Sequence, residues 1–87
     1  MQSSSSQPHA SIKLIADLPA GSGAVIHSLS GGHDFCSRMA NLGFTAGVPV
    51  TVRQNYGRGP IVVALRGTLV ALGRAEAGRI LVLESES

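Results

Sequence analysis

The chain has 87 residues, room for one domain with a thin core, because a domain of this size buries only about 60% of its unfolded surface. Charged residues make up 14%, against about 25% in an average domain, and hydrophobic residues 44%. The formal net charge of +2 comes from seven Lys and Arg against five Asp and Glu, with the arginines spread singly from Arg38 to Arg79. That distribution argues against a nucleic-acid footprint, and the low charge fraction predicts apolar surface left for a partner.

Residues 1–10, MQSSSSQPHA, read as a disordered lead or an expression remnant, leaving 11–87 as one domain. The lead lacks the basic region and apolar core of a secretory signal, and no apolar run reaches the roughly 18 residues of a membrane span. The single cysteine, Cys36, cannot close an internal disulfide. These features predict a cytoplasmic setting.

Leu14 and Leu18 stand four apart, as in one helical turn or a packed lead-in, and Pro19 to Gly23 then turns the chain. Ala24 to Leu29 is strand-like, with Val25, His27 and Leu29 on one face and Ala24, Ile26 and Ser28 on the other. SGGHDFCSRMANLG predicts the one substantial helix: Phe35, Met39 and Leu42 share a stripe with Cys36 beside it, and Arg38 and Asn41 lie on the wet side. Asp34 serves as N-cap or first-turn acid.

Gly43 sits where that helix must stop in a left-handed conformation. With Gly43 at C′, Phe44 is C″ and folds back toward Met39 at C3, the apolar contact of a Schellman ending. Gly47 and Pro49 admit the chain to a strand in which Val48, Val50 and Val52 point inward and Thr51 and Arg53 outward. Gly57 to Pro60 is a loop, Ile61 to Arg66 a β-branched strand, Gly67 a tight turn, and Leu69 to Leu72 another strand. Gly73 to Arg79 has room for one helical turn, and ILVLES ends the chain as the last strand. About five short strands and one inserted helix predict a mainly β fold, a small, partly open barrel.

Chemistry-bearing motifs are sparse. There is no Gly-x-Ser-x-Gly elbow, no phosphate loop and no carboxylate pair in an apolar setting. His33 and Cys36 form an i, i+3 pair, but Cys36 lies on the apolar face, where an inert thiol is the simpler reading. A structural metal site needs four ligands, and no second Cys or His pair is at hand. Three dispersed aromatics, Phe35, Phe44 and Tyr56, make neither a base-stacking platform nor a proline-peptide groove. A non-enzymatic protein is expected.

The ordered set Leu42-Gly43-Phe44, Gly47, Gly59-Pro60, Arg66-Gly67-Thr68, Leu72 and Ala77-Gly78-Arg79-Ile80 resembles the FeoA-type family of ferrous iron transport accessory proteins. The resemblance covers roughly Ile12 to Leu83. It implies an SH3-like β-barrel with an inserted helix. It also implies a cytoplasmic partner role beside a large ferrous iron transporter with its own GTPase domain, with recruitment to the inner face of the membrane. It implies no catalysis and no membrane span, and it fixes no cofactor: weak or shared binding of ferrous iron or another transition metal stays open, as does weak homo-oligomerisation. A similar barrel ends iron-dependent repressors, so a metal-responsive regulatory module is the alternative. On this reading Arg38, Asn41, Tyr56 and Arg58 form the partner surface, Gly43, Phe44, Gly47 and Gly67 are structural, and no residue is assigned to metal.

Overall fold

The structure, a computed structural model, describes residues 11–85. The disordered lead expected over residues 1–10 lies outside the described residues. Among the described residues six strands form one antiparallel sheet: β1 (Ile12–Leu14), β2 (Gly23–Leu29), β3 (Pro49–Gln54), β4 (Ile61–Leu65), β5 (Thr68–Leu72) and β6 (Ile80–Glu84), in the order β1-β6-β2-β3-β4-β5. Helix α1 (His33–Asn41) stands between β2 and β3, and the short α2 (Arg74–Ala77) between β5 and β6.

The strands exist because apolar residues recur every second position. Val50 and Val52, Ile61, Val63 and Leu65, and Ile80 and Val82 are buried, while their neighbours face outward or sit at intermediate depth. Each such side chain gains about 2 kcal/mol from leaving water. The register shifts between Ile26 and Ser28 against β6, and between Val52 and Gln54 against β4. Such bulges increase local twist and help a small sheet curl over its own core.

One strand more is present than the sequence predicts. Ile12–Leu14 pairs with β6, and the expected helical turn around Leu14 to Leu18 is a 3-10 turn, Ile15–Asp17, directly after it. Ile15 and Leu18 drop into the core from that turn. The two sheet edges differ. β1 is three residues long and carries the Lys13–Glu84 ion pair at 3.0 Å, whereas β5 has no charged residue and leaves Leu69 exposed.

The α1 ending rests on two bonds. Phe44 N–H donates to Met39 O at 3.0 Å and Gly43 N–H to Ala40 O at 2.9 Å, the pair that defines a Schellman motif. Gly43 has φ of 106°, and a Cβ there would also stand 3.4 Å from Leu65. Phe44 and Met39 are both in the core. Leu42, expected on the buried stripe, is instead 46% exposed: the helix ends at Asn41, and Leu42 is its C-cap, off the face that packs. From there Gly47 N–H donates to Ile26 O and Ile26 N–H to Val48 O, both at 2.9 Å, so the junction is zipped to β2 before β3 begins.

Candidate functional site: the face around α2

The segment between β5 and β6 has only one turn in which to change direction, and α2 fills it. Its N-cap, Gly73, has no side chain; Glu76 Oε1 reaches back to accept the Gly73 N–H at 3.1 Å, a one-sided cap. The other oxygen, Glu76 Oε2, accepts from Arg38 Nη1 at 3.1 Å, which ties α2 to α1 across 38 residues of sequence.

On the α1 side lies a solvent-open cleft of ≈ 190 Å³, lined by Phe35, Arg38, Ala75, Glu76 and Arg79. Its floor is the Phe35 ring. The Arg38 and Arg79 guanidinium carbons stand 5.8 Å and 5.7 Å from the ring centroid, within cation–π reach. Gly31 makes room for the ring, since a Cβ there would lie 2.7 Å from Phe35 Cδ2.

On the other side of α2, Arg74 turns toward the β3–β4 loop. Its guanidinium donates to Asn55 Oδ1, to Gly59 O at 3.2 Å and to Ala16 O at 3.4 Å. Asn55 Nδ2 donates to Ala16 O at 3.2 Å and Leu18 O at 2.7 Å, and Asn55 Oδ1 accepts the Gly57 N–H at 3.0 Å. The loop is thereby pinned to both the 3-10 turn and α2.

The residues expected at a partner surface fall on two segments. Arg38 and Asn41 are exposed on α1; Tyr56, 78% exposed, and Arg58 lie in the pinned loop. No hydrogen bond or ion pair joins the two segments directly among the described residues; each is instead bonded to α2, one through Glu76 and the other through Arg74. Of the glycines, Gly47 and Gly67 have φ of 90° and 78°. With Arg66 at φ 53°, Gly67 forms the two-residue turn that joins Leu65 to Thr68. Sequence reasoning missed Glu76, Arg74, Arg79 and Asn55, whose partners are remote in the chain.

Cys36 is half-buried rather than sequestered and donates weakly to Gly31 O at 3.5 Å. Among the described residues no group of three or more His, Cys, Asp or Glu could hold a metal ion. His33 and Cys36 alone fall short of the four ligands of a structural zinc site, so the donor set does not fit one. No helix among the described residues is long and apolar enough to cross a membrane.

No curated protein matches the chain by sequence. Solved structures do. The crystal structure of an iron uptake regulatory protein, FeoA, superposes with a TM-score of 0.82 at 24% identity, over 86% of this chain and 100% of that one. The zinc complex of Stenotrophomonas maltophilia FeoA, described as an SH3 domain protein, gives 0.72 at 29% identity over 80% and 88%. A manganese-dependent transcriptional repressor gives 0.77 at 21% identity; it covers 90% of this chain, which spans 44% of the repressor. The fold is therefore the SH3-like barrel with an inserted helix. The FeoA domain model matches residues 13–84, nearly the whole of the described chain, and the chain belongs to the FeoA domain family.

Proposed function

We propose that this chain is a non-enzymatic accessory protein of bacterial ferrous iron transport. It acts in the cytoplasm and binds the cytoplasmic, GTPase-containing part of the large iron transporter to support its assembly or gating. The match to the FeoA domain over residues 13–84 carries this reading. The S. maltophilia relative, described as a possible activating factor of bacterial ferrous iron transport, supports it. The contact surface is the face around α2, with Arg38 and Asn41 on one flank and Tyr56 and Arg58 on the other. An exposed tyrosine and arginines on short, well-braced segments are the residue types that anchor interfaces. The likeness to the manganese-dependent repressor, at 21% identity, concerns the fold and does not favour the regulatory alternative.

Co-purification tests the proposal. The tagged chain is expected to retain the transporter from solubilised membranes. The Arg38→Glu, Tyr56→Ala double variant is expected to keep its melting temperature within a few degrees, yet bind less transporter and lower ferrous iron uptake. Normal binding and uptake by a folded double variant would exclude this surface, and no binding by the unmodified chain would end the adaptor reading.

A further inference from the structure

The cleft between α1 and α2 has an imbalance that its own residues do not resolve. Two guanidinium groups flank the Phe35 ring, and a single carboxylate, Glu76, stands with them. Both Glu76 oxygens are already engaged, Oε1 by the Gly73 N–H and Oε2 by Arg38. Arg38 uses one N–H in that bond, and the Arg79 side chain makes no hydrogen bond or ion pair among the described residues. The cleft thus presents an apolar floor, one surplus positive charge and a set of guanidinium N–H donors without acceptors. Guanidinium forks match carboxylates in shape as well as charge.

We infer that the cleft is a docking socket for an acidic peptide segment of a partner protein: one Asp or Glu carboxylate held by Arg79 and Arg38, with a neighbouring apolar side chain against Phe35 and Ala75. Charge sets the ligand class. The Glu76 carboxylate in the same cleft opposes a multiply charged phosphate group, whereas a single carboxylate neutralises the one surplus charge. Phe35 is only 8% exposed and Ala75 is small, so the apolar neighbour adds little buried area and the carboxylate carries most of the recognition. Arg79 is held from behind, because its backbone N–H donates to Glu76 O at 2.9 Å and its carbonyl accepts from Ser30 N–H at 2.7 Å. The socket rests on the accessory reading only for the identity of the protein that carries the segment.

The test uses the full chain, labelled with nitrogen-15, and two hexapeptide amides, N-acetyl-Gly-Leu-Glu-Gln-Leu-Gly, with one carboxylate, and its Gln-Gln counterpart. The Glu peptide is expected to shift the amide signals of Phe35, Arg38, Ala75 and Arg79 and to bind about tenfold more tightly than the Gln peptide at low salt. Arg79→Gln should reduce binding of the Glu peptide to the level of the Gln peptide, and Arg79→Lys should keep part of it. Because no hydrogen bond among the described residues depends on the Arg79 side chain, a folded variant is expected, and its spectrum reports this directly. Equal affinity for the two peptides, shifts centred elsewhere, or undiminished binding by Arg79→Gln would each overturn the socket. Transporter binding with no peptide effect would remove the socket and leave the accessory reading standing; the peptide effect without transporter binding would do the reverse.

Discussion

Arg74 opens α2 and Arg79 follows its end, yet the two side chains live in different surroundings. Arg74 is half-buried and bonds to Asn55, Gly59 and Ala16, so its guanidinium holds a loop and a turn in place. Arg79 is exposed and lies over an aromatic ring with no acceptor of its own among the described residues. An arginine whose donors end on the chain's own carbonyls is part of the scaffold. One whose donors face an open cleft is available to something else. Arg38 is between the two, tied to Glu76 but more than half exposed.

The largest effect should come from the centre of the saturated cluster. Asn55→Ala strips the Leu18 carbonyl of its partner, weakens the satisfaction of Ala16 O and leaves Arg74 without its shortest bond. A lost part-buried hydrogen-bonding group costs about 2 kcal/mol, and in a domain of this size the melting temperature should fall by roughly 10 °C. A melt within about 2 °C of the parent would show that the loop is not held by these bonds.

Gly43→Val gives a backbone yardstick beside it. A β-branched residue at φ 106° is strained, and its Cβ would press on Leu65 at 3.4 Å, so a loss of about 1.5 kcal/mol is expected in chemical denaturation. An unchanged denaturation midpoint would mean that the α1 ending relaxes into another form. Arg74→Met should cost less, about 1 kcal/mol, because its acceptors lie near enough to solvent for water to replace part of what is lost. If Arg74→Met proves harmless while Arg79→Met unfolds the chain, the contrast between the two arginines is reversed.

The strands and the glycine stop were legible in the sequence because their signals are local. Val50 and Val52, or Ile61, Val63 and Leu65, alternate within a few residues, and Gly43 follows its helix directly. β1 was not legible: three residues are too few to show a period, and what makes Ile12–Leu14 a strand is pairing with Leu81–Leu83 at the far end of the chain. The placement of Leu42 failed for a related reason. Helical spacing puts it in line with Phe35 and Met39, but the helix ends one residue before it. On the candidate surface, exposure of Arg38, Asn41, Tyr56 and Arg58 followed from polarity and loop position. The groups that organise that surface did not. Arg38 finds Glu76 38 positions away and Asn55 finds Arg74 19 away. Phe35 is flanked by one arginine from its own helix and another from beyond α2. Such contacts are fixed by how the sheet folds the chain, and no spacing rule announces them.

The smallest expected effect is also the sharpest probe of the contrast, because it measures coupling rather than loss. In a double-mutant cycle, Arg38→Met and Glu76→Gln remove the ion pair while the Gln carbonyl can still accept the Gly73 N–H. The two side chains are 55% and 31% exposed, and exposed ion pairs contribute little after screening and side-chain ordering. A coupling of at most about 0.5 kcal/mol is expected, weaker still in 0.5 M salt, where screening is stronger (~0.5 M, a Debye length of roughly 4 Å). The corresponding cycle on Asn55→Ala and Arg74→Met should give about 1 kcal/mol or more and respond little to salt, since that contact is a part-buried hydrogen bond to a neutral amide. A salt-insensitive Arg38–Glu76 coupling larger than the Asn55–Arg74 coupling would make the α1–α2 cleft part of the scaffold. Arg38 would then be too committed to Glu76 to serve a partner, and binding at this face would have to rest on Arg79 and the Tyr56 loop alone.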